Sequence, residues 1–415
     1  MSSKVLTFIL AGGKGERLHP LTKDRAKPAV PFGGIYRIID FTLSNCINSG
    51  LRRIHVLIQY KSISLQRHLR VGWNVFNSDL GEFIDVIPAQ QRVGSDWYRG
   101  TADAIYQNIY TIEQEKADDV LILAGDHVYK MNYYKMIDYH RQLGADLTVG
   151  VCEIEKEKSS QLGVLEVDDK GRVLGFEEKP DKPKTIPKQS DKIYASMGIY
   201  VFNRRVLAEE LIEDCAKNTD HDFGKNIIPQ MIKKGKKVYA YNFSSIKCEG
   251  EQCPAGEPEN YWRDIGTIDA YHEANMDLLG PEPIFNLYDR EWSIRTYQEQ
   301  FPPARTVHSG EETKERIGLF LDSLVSSGCV ISGGKVQRSI LSPNVRINSF
   351  SEVYDSILME GVDVGRYARI KRAIIDKEVK LPQGIVIGYD PDEDKKRFHV
   401  TDSGIVVVGK GTEIR

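Results

Sequence analysis

Up to about residue 280, short apolar runs alternate with stretches whose apolar positions recur at helical spacing. Residues 5–11, 54–58, 119–124 and 147–151 are predicted strands, and residues 40–49, 62–70 and 133–143 predicted helices. Strand and helix in turn imply an α/β fold: a Rossmann-like, mostly parallel sheet with helices on both faces. Ligands of such sheets sit beyond the carboxyl ends of the strands, and both Gly12-Gly13 and Gly125-Asp126 fall there.

From Val330 the pattern changes. Apolar residues stand at Val330, Val336, Leu341, Ile347, Val353, Leu358, Val364, Ile370, Ile375, Leu381 and Ile387, so each position recurs 17 residues later. Five- and six-residue steps with interspersed Gly, Ser and Asn predict a parallel β-helix. Its coils are triangular, Val330, Ile347, Val364 and Leu381 form one interior column, and three to four coils fit. The expected organisation is an α/β domain over 1–280, a connector over 281–316 and a left-handed parallel β-helix over 317–415. The connector, with Pro281, Pro283, Pro302 and Pro303, should lie along the first domain, because Ile284, Phe285, Leu287, Tyr288 and Trp292 need burial. Residues 185–191 and 244–259, polar and rich in turn formers, are expected surface loops.

Composition narrows the function class. A net charge of -3 gives no basic surface for nucleic acid. No run reaches the ~20 apolar residues of a membrane span, and the first apolar run breaks at Gly12 with no cleavage site behind it. A cytoplasmic protein with reduced thiols is expected. Cys248 and Cys253 lack a second pair, so no zinc site is expected.

The first strand ends in Gly12-Gly13-Lys14-Gly15, with Arg17 close behind. Glycines let the backbone approach a ligand with its N–H groups aimed at phosphate oxygens, and the cations would neutralise them. The loop is neither a dinucleotide fingerprint nor a Walker loop. Asp126 ends another strand, where a lone Asp is commonly a helix cap.

The loop, followed by Arg25-Ala26-Lys27-Pro28-Ala29-Val30-Pro31-Phe32 and Tyr36-Arg37-Ile38-Ile39-Asp40-Phe41, resembles the sugar-nucleotide pyrophosphorylases. Trp97-Tyr98-Arg99-Gly100-Thr101-Ala102-Asp103-Ala104 and Phe41-Thr42-Leu43-Ser44-Asn45-Cys46 narrow the resemblance to the bacterial ADP-glucose-forming branch. It covers nearly the whole chain. It implies adenylyl transfer from ATP to glucose 1-phosphate, release of pyrophosphate, a role in glycogen synthesis, Mg²⁺ as cofactor, a homotetramer and regulation by anionic metabolites.

Residue by residue, the resemblance implies catalysis by Arg17, Lys27 and Asp126, with the metal held by Asp126 and Asp264. Leu10, Gly12, Gly13 and Gly100 would contact the nucleotide, and Gln90 or Gln91 would read the adenine edge, an amide being donor and acceptor at once. Tyr98, Gly163, Glu178, Lys179, Ser196 and Asp222 would bind glucose 1-phosphate, Lys179 gripping its phosphate. Arg25 and Arg37 would touch effectors. Asp24 and Pro31 depart from relatives activated by fructose 1,6-bisphosphate, since a carboxylate repels a bisphosphate; another anion such as fructose 6-phosphate or pyruvate is expected. Rival readings are transfer to another nucleotide, an acetyltransferase using His399, and a non-catalytic subunit. The last is disfavoured because Arg17, Lys27, Asp126, Lys179 and Asp264 are all present.

Overall fold

The computed structural model describes residues 4–90, 97–187, 189–245, 261–308 and 316–414. The strand Val5–Leu10 lies inside a sheet, paired in parallel with Arg53–Ile58 on one side and Asp119–Ala124 on the other. Leu6 and Phe8 face one core and Ile9 the other, which is why the run reads as continuously apolar rather than alternating. Phe83–Pro88 extends the parallel side. On the other side Lys192–Asn203 runs antiparallel to Asp119–Ala124 and pairs with Leu147–Glu155 and Gly163–Val167. The sheet is therefore mixed, and parallel where the glycine-rich loop leaves it.

The predicted helices form as Ile38–Asn48, Ile63–Gly72 and Tyr133–Gln142. The first begins two residues before its expected start. Asp40 accepts the Arg37 N–H at 2.8 Å and so serves in a capping box rather than opening the helix.

The C-terminal part is a parallel β-helix. One face stacks Arg305–Val307, Val330–Ser332, Arg346–Ile347, Asp363–Val364 and Lys380–Leu381. Five layers thus form, against the three to four that the repeat predicts, and the first strand falls inside the expected connector. The interior column also differs at its start. Ile331, not Val330, aligns with Ile347, Val364 and Leu381, and Val330 aligns with Arg346. The first interval is 16 residues, and later ones are 17. Spacing alone cannot separate two adjacent apolar residues when one corner is a residue shorter.

The β-helix is docked on the catalytic part through a shared core. Phe32, Phe41, Tyr271 and Phe285 pack in one cluster with Ile340, Ile357, Met359, Ile374 and Val407. Ile340, Ile357, Ile374 and Val407 align strand to strand as a ladder. The helix Ile268–Met276 touches both parts: Tyr271 Oη donates to Pro31 O at 2.6 Å, and His272 Nε2 to Asp355 O at 2.8 Å. In the connector Phe285 is fully buried and Trp292 Nε1 donates to Asn45 Oδ1 at 2.8 Å. Ile284 and Tyr288, expected inside, are 64% and 77% exposed. They line a surface cleft beside Leu324 of the first coil rather than reaching the core.

Candidate active site

The glycine-rich loop is shaped by close approach. A Cβ on Gly12 would lie 3.3 Å from Gln59 Cβ. Gly15 has φ 65° and leaves only 3.1 Å between such a Cβ and Lys27 Cβ, so the left-handed turn and the packing both select glycine. Thr22 Oγ1 donates to Gly15 O at 2.8 Å and fixes the turn. Beneath it opens a cleft of about 390 Å³ whose walls include Leu10, Gly13, Lys14, Arg17, Lys27, Asp126 and Gly266.

Asp126 and Asp264, distant in sequence, meet because Trp262–Asp264 pairs antiparallel with His127–Tyr129, Asp264 opposite His127. Lys27 Nζ donates to Asp126 Oδ2 at 2.8 Å and to Asp264 Oδ1 at 3.1 Å. Burial pulls the Lys27 ammonium down, but the two carboxylates outweigh it and hold its pKa above the usual lysine value. Burial raises Asp126, and Lys27 and His127 overcome that, holding its carboxyl at about 2. Asp126, His127 and Asp264 present ligand atoms within 4.8 Å of one another. Hard carboxylate oxygens at the rim of an open cleft suit a divalent cation that keeps waters.

His127 and Gly266 escaped the sequence reading. His127 Nε2 lies 3.5 Å from Asp126 and 3.7 Å from Asp264; adjacency to the Asp126 motif was its only signal. A Cβ on Gly266 would stand 3.0 Å from Asp264 Oδ2 and 3.1 Å from Arg17 Nη2. Glycine there lets Arg17 approach the carboxylates, which a single sequence does not reveal.

The residues expected around the sugar form a chain of contacts along the same sheet edge. Gln59, against Gly12, donates from Nε2 to Tyr98 O at 3.4 Å, and Asn108 Nδ2 donates to Tyr98 Oη at 3.1 Å. A Cβ on Gly100 would stand 2.3 Å from the carbonyl oxygens of Asp220 and His221. That spatial demand accounts for the glycine without a nucleotide contact. Asp222 Oδ2 accepts from Thr101 Oγ1 at 2.9 Å, and its Oδ1 caps the next turn through Gly224 and Lys225 N–H at 2.9 and 3.1 Å. Asp222 thus shapes the loop with both oxygens. A Cβ on Gly163 or on Gly224 would come within 2.9 Å of Glu178 Oε2. Burial raises the Glu178 carboxyl, Lys179 opposes this and Asp222 adds to it. Lys179 has φ 53° and a half-exposed side chain. Ser196 is buried, with Tyr200 Oη at 3.5 Å. Gln90 is exposed, and Gln91 lies outside the described residues.

Arg25 and Arg37 lie apart from the cleft. Arg25 is buried against Asp376 of the β-helix, both carboxylate oxygens within 2.9 Å of Nη2. Arg37 Nη1 donates to Ser64 Oγ at 2.8 Å. Burial, more than the neighbouring Arg25 charge, pulls its pKa down, against Asp40. Lys377 contacts Glu360 at 2.5 Å, so Arg25, Arg37 and Lys377 gather with Asp376, Asp40 and Glu360 at the junction.

The Nucleotidyl transferase family model matches residues 6–280, and the GlmU-like C-terminal hexapeptide model matches residues 302–408. Hexapeptide repeats agree with a left-handed β-helix. A glucose-1-phosphate adenylyltransferase of Rhodopirellula baltica is 53% identical, covering 100% of this chain and 92% of the relative. That of Koribacter versatilis is 52% identical (98% and 95%), and glucose-1-phosphate adenylyltransferase 2 of Vibrio cholerae is 51% identical (97% of each).

Proposed function

The chain belongs to the glucose-1-phosphate adenylyltransferase family of nucleotidyltransferases, and from that premise we propose that its cleft makes ADP-glucose from ATP and glucose 1-phosphate. A phosphate oxygen of the sugar attacks the α-phosphorus of ATP. The new P–O bond forms as the bond to the β-phosphate oxygen breaks, and pyrophosphate leaves. The protein's work is to align two anions that repel each other and to stabilise charge on the transferred group.

The observation that carries this reading is the meeting of Lys27, Asp126 and Asp264 beneath the glycine-rich loop. The backbone of Gly12 and Gly13 receives the triphosphate, with Arg17 and Lys27 against its oxygens. Nucleotidyltransferases of this kind generally use a divalent metal. Asp126 and Asp264 would hold Mg²⁺, which when bound supplies positive charge to the phosphates. On the sugar side, Lys179 neutralises the phosphate while Glu178 and Ser196 take hydroxyls, the backbone at Gly163 lying close.

Anionic metabolites are the proposed effectors, at the junction where Arg37 and Lys377 gather; Arg25 takes part there through its bond to Asp376. A homotetramer is proposed, supported by the exposed apolar strand Leu319–Leu321 of the first coil. Among the described residues no helix is long and apolar enough to cross a membrane, and a cytoplasmic place feeding glycogen synthesis is proposed.

Pyrophosphate release from each of the four nucleoside triphosphates with glucose 1-phosphate, with and without Mg²⁺, tests the reading. Release from ATP that needs the metal is expected. Release from UTP or dTTP alone, or none from any, would overturn it.

A further inference from the structure

His221 is buried and carries φ 49°, a left-handed backbone uncommon among non-glycine residues and tolerated best by Asn, Asp and His. Its side chain, its N–H and its carbonyl are all held, and Thr219 Oγ1 also stands 3.2 Å from Nδ1. Its Nδ1 donates to Asp214 Oδ2 at 2.8 Å, near the end of the helix Arg204–Cys215. Its N–H donates to Thr219 Oγ1 at 3.1 Å, and Thr219 Oγ1 in turn donates to Asp214 Oδ1 at 2.9 Å. Its carbonyl accepts the Ala102 N–H at 2.8 Å and the Asp103 N–H at 3.3 Å. These are free donors at the start of the helix Thr101–Tyr106.

The twisted residue thus turns its carbonyl onto the segment carrying Tyr98 and Gly100, immediately before Asp222 bonds Thr101. Two loops that the family resemblance places beside the sugar are latched together, and the latch is anchored in the helix Arg204–Cys215. Strained backbone at a site persists when its surroundings over-determine it, and here the Asp214 carboxylate does so.

We propose that His221 is a positioning residue for the sugar subsite, acting through its Nδ1 tether to Asp214. This rests on the function proposed above. The chemistry specifies its own control. An Asn side chain places its Nδ2 the same number of bonds from the backbone as the imidazole Nδ1, and Asn tolerates a left-handed backbone. Gln places the nitrogen one bond too far, and Leu supplies no donor.

The test is steady-state kinetics of the full chain and its His221→Leu, His221→Gln and His221→Asn variants, with amide hydrogen exchange at Ala102 and Asp103. In His221→Leu and His221→Gln the KM for glucose 1-phosphate should rise tenfold or more, with the KM for ATP within twofold. His221→Asn should stay within threefold of the parent on both. Exchange at the two amides should quicken in His221→Leu and not in His221→Asn. An unaltered glucose 1-phosphate KM in His221→Gln, or an Asn variant as impaired as the Leu variant, would overturn the proposal. If His221→Leu does not fold, the Gln and Asn variants decide. A parent inactive on ATP and glucose 1-phosphate would instead fault the function, and the exchange result would still judge the latch.

Discussion

Arg25 of the catalytic part reaches both carboxylate oxygens of Asp376 in the β-helix, at 2.8 and 2.9 Å, with both side chains buried. Asp376 also accepts the Lys377 and Lys410 backbone N–H groups. Removing one partner of such a pair leaves a buried, uncompensated charge. Arg25→Ala is expected to lower unfolding stability by about 3 kcal/mol or more, measured by urea denaturation, and to weaken any effector response because the junction loses its tie.

Asp126→Asn keeps the size of the side chain and removes the charge shared with Lys27. Turnover is expected to fall about 100-fold or more, with thermal unfolding changed by only a few degrees. Near-normal turnover would take Asp126 out of the mechanism.

Lys179 is half exposed and its backbone is pinned by a 3.0 Å bond from its N–H to Leu162 O. Lys179→Gln should leave the fold intact and raise the glucose 1-phosphate KM by about 10- to 100-fold, the range of a lost charge-assisted hydrogen bond. A rise in the ATP KM instead would move Lys179 to the other substrate.

His55 lies between Phe8 and Phe83, ring centroids 5.3 and 4.8 Å away, and neither of its nitrogens has a partner among the described residues. Burial, helped by Arg53, lowers its pKa to about 4. The unfolded chain then binds the proton more tightly than the fold does. This contribution to stability is complete above about pH 6.5 and lost as pH falls from there toward 4. His55→Phe should make the loss of stability between pH 7.5 and pH 4 smaller by about 3 kcal/mol. Denaturant titrations of both proteins at the two pH values check this.

Sequence periodicity located the strands that build the site, because strands buried on both faces announce themselves as unbroken apolar runs. Asp119–Ala124 came out at its observed bounds. Family resemblance paired Asp126 with Asp264; nothing local to either residue says that they meet, since an antiparallel pairing far along the chain brings them together. The tie of Arg25 to Asp376 was not legible either, because it depends on how two separately patterned parts dock. Gly100 and Gly266 look like ordinary turn glycines until the neighbouring carbonyls, guanidinium and carboxylate are in place. The start of the interior column slipped by one residue, from Val330 to Ile331, because both are β-branched and only the corner length distinguishes them.

The isoleucine ladder Ile340, Ile357 and Ile374, closed by Val407, turns away from the β-helix interior and into the catalytic core. The two parts are therefore not interchangeable modules. A chimera taking its coils from a homologue would have to import a matching hydrophobic stripe. A truncation before the coils would strip Ile340, Ile357, Met359, Ile374 and Val407 from the cluster that holds Phe32, Phe41 and Phe285 and bare its apolar surface, an invitation to self-association rather than an independent smaller enzyme.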